Sequence, residues 1–433
     1  MNPSVVTRFA PSPTGNLNIG GVRAGIFAYL FARHQGGRFI LRIEDTDRER
    51  SKKEYEENII ESLQWLGLEY DALYRQSDHT ARYEELLHTL VEQNRAYVSK
   101  EEHTENGGRT EVVRFRNPNK VIRFDDLIHG TISVDTTELK DFVIAKSFTE
   151  PVFHFTNVVD DWDAGVTHVV RGDDHISNTP RQILIQEALD APSMLYAHLP
   201  LILDGDRSKL SKRKGAKALT EYRDLGFIPE GILNFDAFLG WHPAHDVEIL
   251  SKAELIEQFS LERVQKSPGI FNEEKLLWFN HEHLKKLSDT EFEIRLKTFS
   301  KQEFDARLVP LIKERAQTLA EATGLLAEYD FLDTASPDKN LLLQQSTLDA
   351  ETTKTHLTAL VGMLKKIESG NFTQSPVKEV VFPYATAQGR GAVLWPLRVA
   401  LSGKENSPDP FTLAGLLGKE KTLARIEKAR GLL

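Results

Sequence analysis

The sequence of 433 residues contains no cysteine. Disulfides, thiolate nucleophiles and thiolate metal ligands are therefore excluded, and a chain of this length buries enough core to need no such staple. Long apolar runs are missing too. Nothing approaches the roughly 20 apolar residues of a membrane-spanning helix, and the first residues lack the pattern of a secretory leader. A cytoplasmic protein with no membrane partner is the expectation. Basic residues fall short of acidic ones, 54 against 64, leaving a net charge of −10. That balance supplies no general attraction to nucleic acid, although one basic face can coexist with it. Apolar residues at 40% and charged residues at 27% are those of an ordinary globular protein, and the length predicts roughly two to four domains.

The most informative stretch present is Arg8-Phe-Ala-Pro-Ser-Pro-Thr-Gly-Asn-Leu-Asn-Ile-Gly-Gly21. Before it, Val5, Val6 and Phe9 predict a short buried strand. After it, Val22, Ile26, Phe27, Leu30 and Phe31 recur at helical spacing over 22–35, Gly36 and Gly37 stop the helix, and 39–43 reads as a second strand. A strand, glycine loop, helix and strand in that order aim the first N–H groups of the helix at an anion, and the glycines let a phosphate chain approach the backbone. Nucleotide binding is expected, although the spacing matches neither the dinucleotide fingerprint nor the G-x-x-x-x-G-K-[ST] phosphate loop.

Ser51 and Glu54 have the form of a capping box for a helix burying Tyr55, Ile59, Leu63 and Leu66 and ended by Gly67. A further helix is expected over 80–94. Within 97–150 the texture changes to short β-prone pieces at 112–115, 121–124, 131–134 and 142–145, which read as an insertion between two halves of a nucleotide fold. Strands are expected at 153–159 and 168–171 and a helix at 179–189; from Glu221 onward the chain reads as mostly helical, with core-like runs at 276–279 and 395–401. The segment 369–376 is a linker or a surface loop. Arg207, Lys209, Lys212, Arg213, Lys214 and Lys217 form a run without an acid, either a solvated face or a loop that closes over phosphate. Asp45 and Asp47, alternating with cations ahead of a helix, read as turn and helix-start residues rather than metal ligands.

The first stretch, Ile43-Glu-Asp-Thr-Asp-Arg-Glu-Arg-Ser51, Arg171-Gly-Asp-Asp-His-Ile-Ser-Asn-Thr-Pro180 and Lys209-Leu-Ser-Lys-Arg213 stand in the order of the motifs of glutamyl-tRNA synthetases. The chain resembles the bacterial type of that class I family over nearly its whole length. The resemblance implies an α/β, Rossmann-like catalytic domain with an inserted acceptor-binding α+β domain, followed by an all-α C-terminal anticodon-binding region. Its halves would be 1–96 and 151–220, the insert 97–150, a stem-contact helical domain 221–305 and the anticodon-binding helices 306–433. It further implies ATP with Mg²⁺, L-glutamate and tRNA(Glu), a monomer, and ligation in two steps through a glutamyl-adenylate. A relative that also charges tRNA(Gln), and a non-catalytic tRNA-binding paralogue, are the alternatives.

By the same resemblance, Arg8, Ser12, Glu44, Phe153, Asn157 and Arg171 bind glutamate, the arginines facing carboxylates with their two-pronged forks and Glu44 with Ser12 holding the ammonium. Ala10, Pro11, Ser12, Thr14, Gly15, Asn18, Gly20, Gly21 and Lys212 bind ATP. Asn18, Gly20, Lys209 and Lys212 are catalytic, Lys212 stabilising the departing pyrophosphate. Two residues depart from the pattern: relatives usually carry His at the position of Asn18, which here donates without becoming cationic, and Tyr at that of Phe153. Some relatives hold zinc in the insert, which this chain cannot build from thiolates. Lys419, Lys421, Arg425, Lys428 and Arg430 outnumber Glu420 and Glu427 near the C-terminus, in the region the resemblance gives to the anticodon.

Overall fold

Apolar segments on either side of the glycine loop fold back on one another in parallel. β1 (Val6–Phe9) leads through the loop to α1 (Ile19–His34), β2 (Arg38–Ile43), α2 (Lys53–Trp65) and β3 (Ala72–Arg75), with β2 between β1 and β3 in a parallel sheet. The computed structural model describes residues 4–100, 111–208, 217–332, 335–344 and 349–433. Its chain divides into two compact units, Met1–Lys286 and Leu287–Leu433.

α1 begins three residues earlier than its apolar spacing indicates, because Asn18 caps it: the Asn18 side chain accepts from Gly21 N at 2.7 Å. α2 departs from its expected start. Its N-cap is Lys52, whose N–H donates to Pro13 O at 3.0 Å, and the buried Ser51 hydroxyl has no partner among the described residues. The chain is tied to the glycine loop there, and that tie displaces the capping box. Ile59, Leu63 and Leu66 are buried as expected, and Gly67 ends the helix at φ +67°.

The chain continues through α3 (Thr80–Glu92), β4 (Ala96–Lys100), β5 (Glu111–Phe115), β6 (Val121–Asp126), β7 (Gly130–Asp135), β8 (Phe142–Ser147) and β9 (Glu150–Pro151). It then forms α4 (Phe153–Asp163), β10 (His168–Gly172), α5 (Thr179–Ala188), β11 (Leu195–Leu199) and β12 (Ile202–Leu203). β4, β5, β8 and β9 make an antiparallel sheet, whereas the β6–β7 hairpin leaves it and joins β11, which pairs in parallel with β10. The 153–159 segment is helical, not extended as its β-branched residues suggest. Both faces of α4 are occupied: Phe155, Val158 and Val159 enter the core shared by α3, α5 and the antiparallel sheet, while Asn157, Asp160 and Asp161 recur at i, i+3 and i+4 on the other face. The helical period is present, but both faces are buried, so the polar face does not mark solvent.

β10 lies beside β1, joined by one backbone bond and by bonds that use side chains. Val6 N donates to Thr167 Oγ1 at 2.8 Å, Thr167 N to Val6 O at 3.0 Å, and Arg8 Nη1 to Val170 O at 3.2 Å. The unit closes with α6 (Leu219–Asp224), α7 (Pro229–Ala237), α8 (Lys252–Gln258), β13 (Gly269–Ile270), paired with β12, and α9 (Glu273–Lys286).

The second unit holds α10 (Asp289–Ser300), α11 (Val309–Arg315), α12 (Leu319–Glu328), α13 (Lys339–Leu343), α14 (Ala350–Leu364), α15 (Gln374–Gln388), α16 (Arg390–Ser402) and α17 (Pro410–Leu432), the last kinked at Gly418. Several of its C-terminal cations face inward. Arg425 donates to Leu401 O and Leu332 O, and Lys419 to Lys365 O and Ile367 O, satisfying carbonyls at helix ends. No helix among the described residues is long and apolar enough to cross a membrane.

Gly37 sets the return from α1 into β2. A Cβ there would lie 2.1 Å from Val5 O, the acceptor of Arg38 N in the first rung beside β1. Gly37→Ala is expected to lower the unfolding free energy by more than about 2 kcal/mol, measured by urea denaturation; an unchanged midpoint would show that the β1–β2 junction yields freely.

Candidate active site

The loop after β1 is held open by bonds from outside it. Glu44 N donates to Pro11 O at 3.1 Å, and Leu17 N to Asn58 Oδ1 at 2.8 Å. Asn18 bridges in antiparallel fashion to Ala218, just beyond the basic run. Capping uses the Asn18 oxygen, and among the described residues nothing takes its Nδ2, so the amide presents a donor beside the first turn of α1. That turn carries no acidic side chain.

A cavity of about 620 Å³ opens here, at the carboxyl ends of β1 and β10. Ligands of parallel α/β sheets bind at such a place, where connections leave in opposite directions. It is lined by ten of the residues singled out from sequence: Arg8, Ala10, Ser12, Asn18, Gly20, Gly21, Glu44, Phe153, Asn157 and Arg171. Pro11, Thr14 and Gly15 belong to the same loop but do not line it. Lys209 and Lys212 lie outside the described residues. Arg207 is described, in a turn with φ +63°, and Lys217 pairs with Glu273.

Beneath the cavity floor is a cluster of buried charges. Arg42, 1% exposed, donates to Asp161 Oδ1 and, at 3.1 Å, to Glu44 Oε1, with Asp160 Oδ2 3.9 Å from its Nε. Arg8 Nε donates to Asp161 Oδ1 at 3.0 Å, and Asn157 Nδ2 to Glu44 Oε1 at 2.6 Å. Gln76 and Tyr83 donate to the two oxygens of Asp160. Burial pushes Glu44 and Asp160 above the usual carboxylate range against the pull of Arg42; for Asp161 burial acts the same way, but Arg42 and Arg8 together outweigh it and hold the group below that range.

Arg171 is different. It is 6% exposed, and no carboxylate pairs with it among the described residues. Its Nε donates to His198 Nε2 at 3.2 Å, its Nη2 to Thr179 Oγ1 at 2.8 Å, and its guanidinium sits over Tyr196, 5.5 Å from the ring centre. Burial lowers its pKa to about 10, which leaves it fully cationic at neutral pH. Next to it His175, its pKa lowered to about 4 by burial first and by the Arg171 charge second, accepts at Nδ1 from Asn178 Nδ2 at 3.2 Å, and its ring lies 5.4 Å from that of Phe153.

The arrangement suits a ligand bringing carboxylate to Arg171 and Arg8, ammonium to Glu44, and phosphate to the start of α1. The acids on the cavity wall are Glu44 and Asp174, and no group of three or more His, Asp or Glu among the described residues is gathered for a metal. A divalent cation at this site would come with phosphate oxygens, as magnesium commonly does. Arg42, His175 and His198 carry no assigned role in the sequence. The signals were an arginine within an apolar strand, the Asn157, Asp160 and Asp161 spacing, and a histidine within the apolar β11.

Comparisons with known proteins agree with one another. A family model for tRNA synthetases class I (E and Q), catalytic domain, matches residues 4–106 and 99–278, and one for an anticodon binding domain matches 271–430. The chain is 39% identical to glutamate–tRNA ligase 1 of Acidithiobacillus ferrooxidans, covering 98% of this chain and 99% of that one. It is also 39% identical to the glutamate–tRNA ligase of Aquifex aeolicus, with 98% of each covered. The crystal structure of a glutamate tRNA ligase from Elizabethkingia meningosepticum in complex with its amino acid superposes with a TM-score of 0.85 at 30% identity, over 99% of this chain and all of that one.

Replacing Arg42 by Met, similar in length but uncharged, leaves the buried Glu44 and Asp160 without their ion-pair partner and Asp161 with Arg8 alone. The expected loss is about 3–5 kcal/mol, read from urea unfolding at pH 7. A loss under about 1 kcal/mol would mean that the carboxyls are neutral or reached by water.

Proposed function

We infer that this chain, which belongs to the class I tRNA synthetases and among them to the glutamate–tRNA ligases, joins L-glutamate to tRNA(Glu) using ATP. The observation that carries the reading at the level of residues is Arg171, a buried guanidinium with no carboxylate partner among the described residues. Leaving such a charge unpaired costs stability unless a ligand completes it. Glutamate has the matching charges. Arg171 and Arg8 hold its carboxylates, and Glu44, steadied by Asn157 and helped by Ser12, holds its ammonium.

In the first step a glutamate α-carboxylate oxygen attacks the α-phosphorus of ATP. The bond from that phosphorus to the oxygen bridging the β-phosphate breaks, and pyrophosphate leaves with the electron pair. The Gly20 N–H, which has no helical partner in the first turn, and the Asn18 amide face the phosphates; Ala10 and Gly21 leave room for them. Lys209 and Lys212 neutralise the pyrophosphate, a role that rests on the motif alone. Mg²⁺ accompanies ATP and screens the charge of its phosphates. In the second step a terminal ribose hydroxyl of tRNA attacks the adenylate carbonyl, AMP leaves, and the hydroxyl proton is released. Positioning and electrostatics carry both steps without a covalent enzyme intermediate. Residues 97–150 grip the acceptor end and 306–433 the anticodon. The chain works as a monomer in the cytoplasm.

The test is charging of tRNA(Glu), with tRNA(Gln) alongside, by labelled glutamate, ATP and Mg²⁺, comparing the native chain with Asn18→His. Native activity is expected, raised by up to about tenfold in the variant by a stronger phosphate donor, while loss of the Asn cap lowers its stability by about 1 kcal/mol. Silence in both, with tRNA still bound, would leave a tRNA-binding paralogue.

Glu44 predicts a pH dependence. Burial raises its pKa, so as pH falls the carboxylate is lost before that of free glutamate. The acid limb of kcat/KM for glutamate is expected above the ordinary carboxylate range, and Glu44→Gln is expected to remove that limb while raising KM at every pH. A native limb near pH 4 would rule Glu44 out as the ammonium partner.

A further inference from the structure

Behind Arg171 runs a buried chain of polar groups that reaches a different part of the fold. Arg171 only donates, so His198 Nε2, 3.2 Å from Arg171 Nε, accepts. The ring proton of His198 is thereby placed on Nδ1, which donates to Asp126 Oδ2 at 2.7 Å. Asp126 is fully satisfied: Oδ2 also accepts from His198 N at 3.0 Å, and Oδ1 accepts from Ile128 N at 2.9 Å and His129 N at 2.8 Å. Neither His198 nor Asp126 lines the cavity, and both are almost completely buried. Asp126 ends β6, where it pairs with Tyr196 of β11, so the stretch that reads as an insertion supplies the last link.

We propose that Asp126 and His198 are positioning residues that aim Arg171 at the amino-acid carboxylate while leaving its charge uncompensated. This rests on the reading of Arg171 as a glutamate contact. A carboxylate in place of His198 would orient the guanidinium equally well and would cancel the charge the substrate needs. The imidazole accepts the hydrogen bond without doing so, and Asp126 fixes the ring and its tautomer from one residue further back. Burial is the main reason the His198 ring stays below its usual pKa, with Arg171 acting in the same direction and Asp126 against it; the ring is neutral at pH 7. For Asp126, burial acts to raise the pKa, but the His198 ring and the two backbone N–H groups outweigh it and keep the group ionised. Thr179 completes the frame: its Oγ1 accepts from Arg171 Nη2 and lies 3.1 Å from His198 Nε2, so ring, hydroxyl and guanidinium are held together, and no described residue takes Nη1.

The experiment separates substrate affinities in tRNA charging by the full-length protein. His198→Phe keeps a ring and removes the acceptor. KM for glutamate is expected to rise about tenfold or more, with KM for ATP and for tRNA within about twofold. His198→Gln, whose Oε1 can accept from Arg171 Nε, is expected to recover most of that loss, and Asp126→Asn to fall between the two. Equal rises in the KM for glutamate and ATP, or a fall in kcat with both unchanged, would overturn the proposal. Should His198→Phe fail to fold, as shown by loss of its thermal transition, Asp126→Asn decides: a raised glutamate KM supports the proposal, and an unchanged one overturns it. Arg171→Lys distinguishes the two levels. If it leaves the glutamate KM unaltered, the underlying reading of Arg171 fails; a large effect there beside a silent His198→Phe overturns the positioning alone.

Discussion

One guanidinium with no access to water constrains the catalytic unit more than any other group. Arg42 sits in the middle strand of the first parallel sheet and draws in Glu44 from the end of its own strand and Asp160 and Asp161 from α4. A charge in that position is tolerable only when its hydrogen bonds and counter-charges are supplied together. The two segments are more than a hundred residues apart in sequence. Their meeting brings Asn157, one turn earlier on α4, onto Glu44, and brings Arg8 onto Asp161. The floor of the cavity and the packing of the fold are therefore the same set of contacts.

Above that floor the electrostatic plan changes. Around Arg42 cations and anions are interleaved; burial raises every carboxyl there, and at Asp161, hydrogen-bonded by both Arg42 and Arg8, the arginines outweigh it. Around Arg171 the partners are a neutral ring, a hydroxyl and an aromatic face. A compensated lower layer is rigid, and an uncompensated upper layer attracts an anion. The contrast lets one pocket be stable when empty and selective when filled.

Much of this was legible in the sequence because motif and fold coincide there. The stretch from Arg8 to Gly21 encodes a strand, a loop and a helix start within a short span, so local pattern suffices. Elsewhere local pattern failed for physical reasons. Thr156, Val158 and Val159 look extended, yet the segment is helical because its polar face has buried partners. Ser51 has the composition of a cap, yet a bond from Lys52 to the distant Pro13 moves the helix start. Lys419 and Arg425 look like an RNA-facing surface, yet they satisfy carbonyls of neighbouring helices. Arg42 and His198 went unread because their meaning lies in residues far along the chain. In each case the deciding interaction is tertiary, and periodicity carries no record of it.

The join between β1 and β10 has an implication for descent. Backbone ladders are indifferent to side-chain identity, so the spacing of ordinary strand pairs is hard to alter by substitution. Here the neighbouring segments share the backbone bond from Thr167 N to Val6 O and are otherwise joined through the Thr167 and Arg8 side chains. The spacing at that seam thus depends in part on the Thr167 side chain, which a lineage could exchange without rebuilding the sheet or touching Arg8.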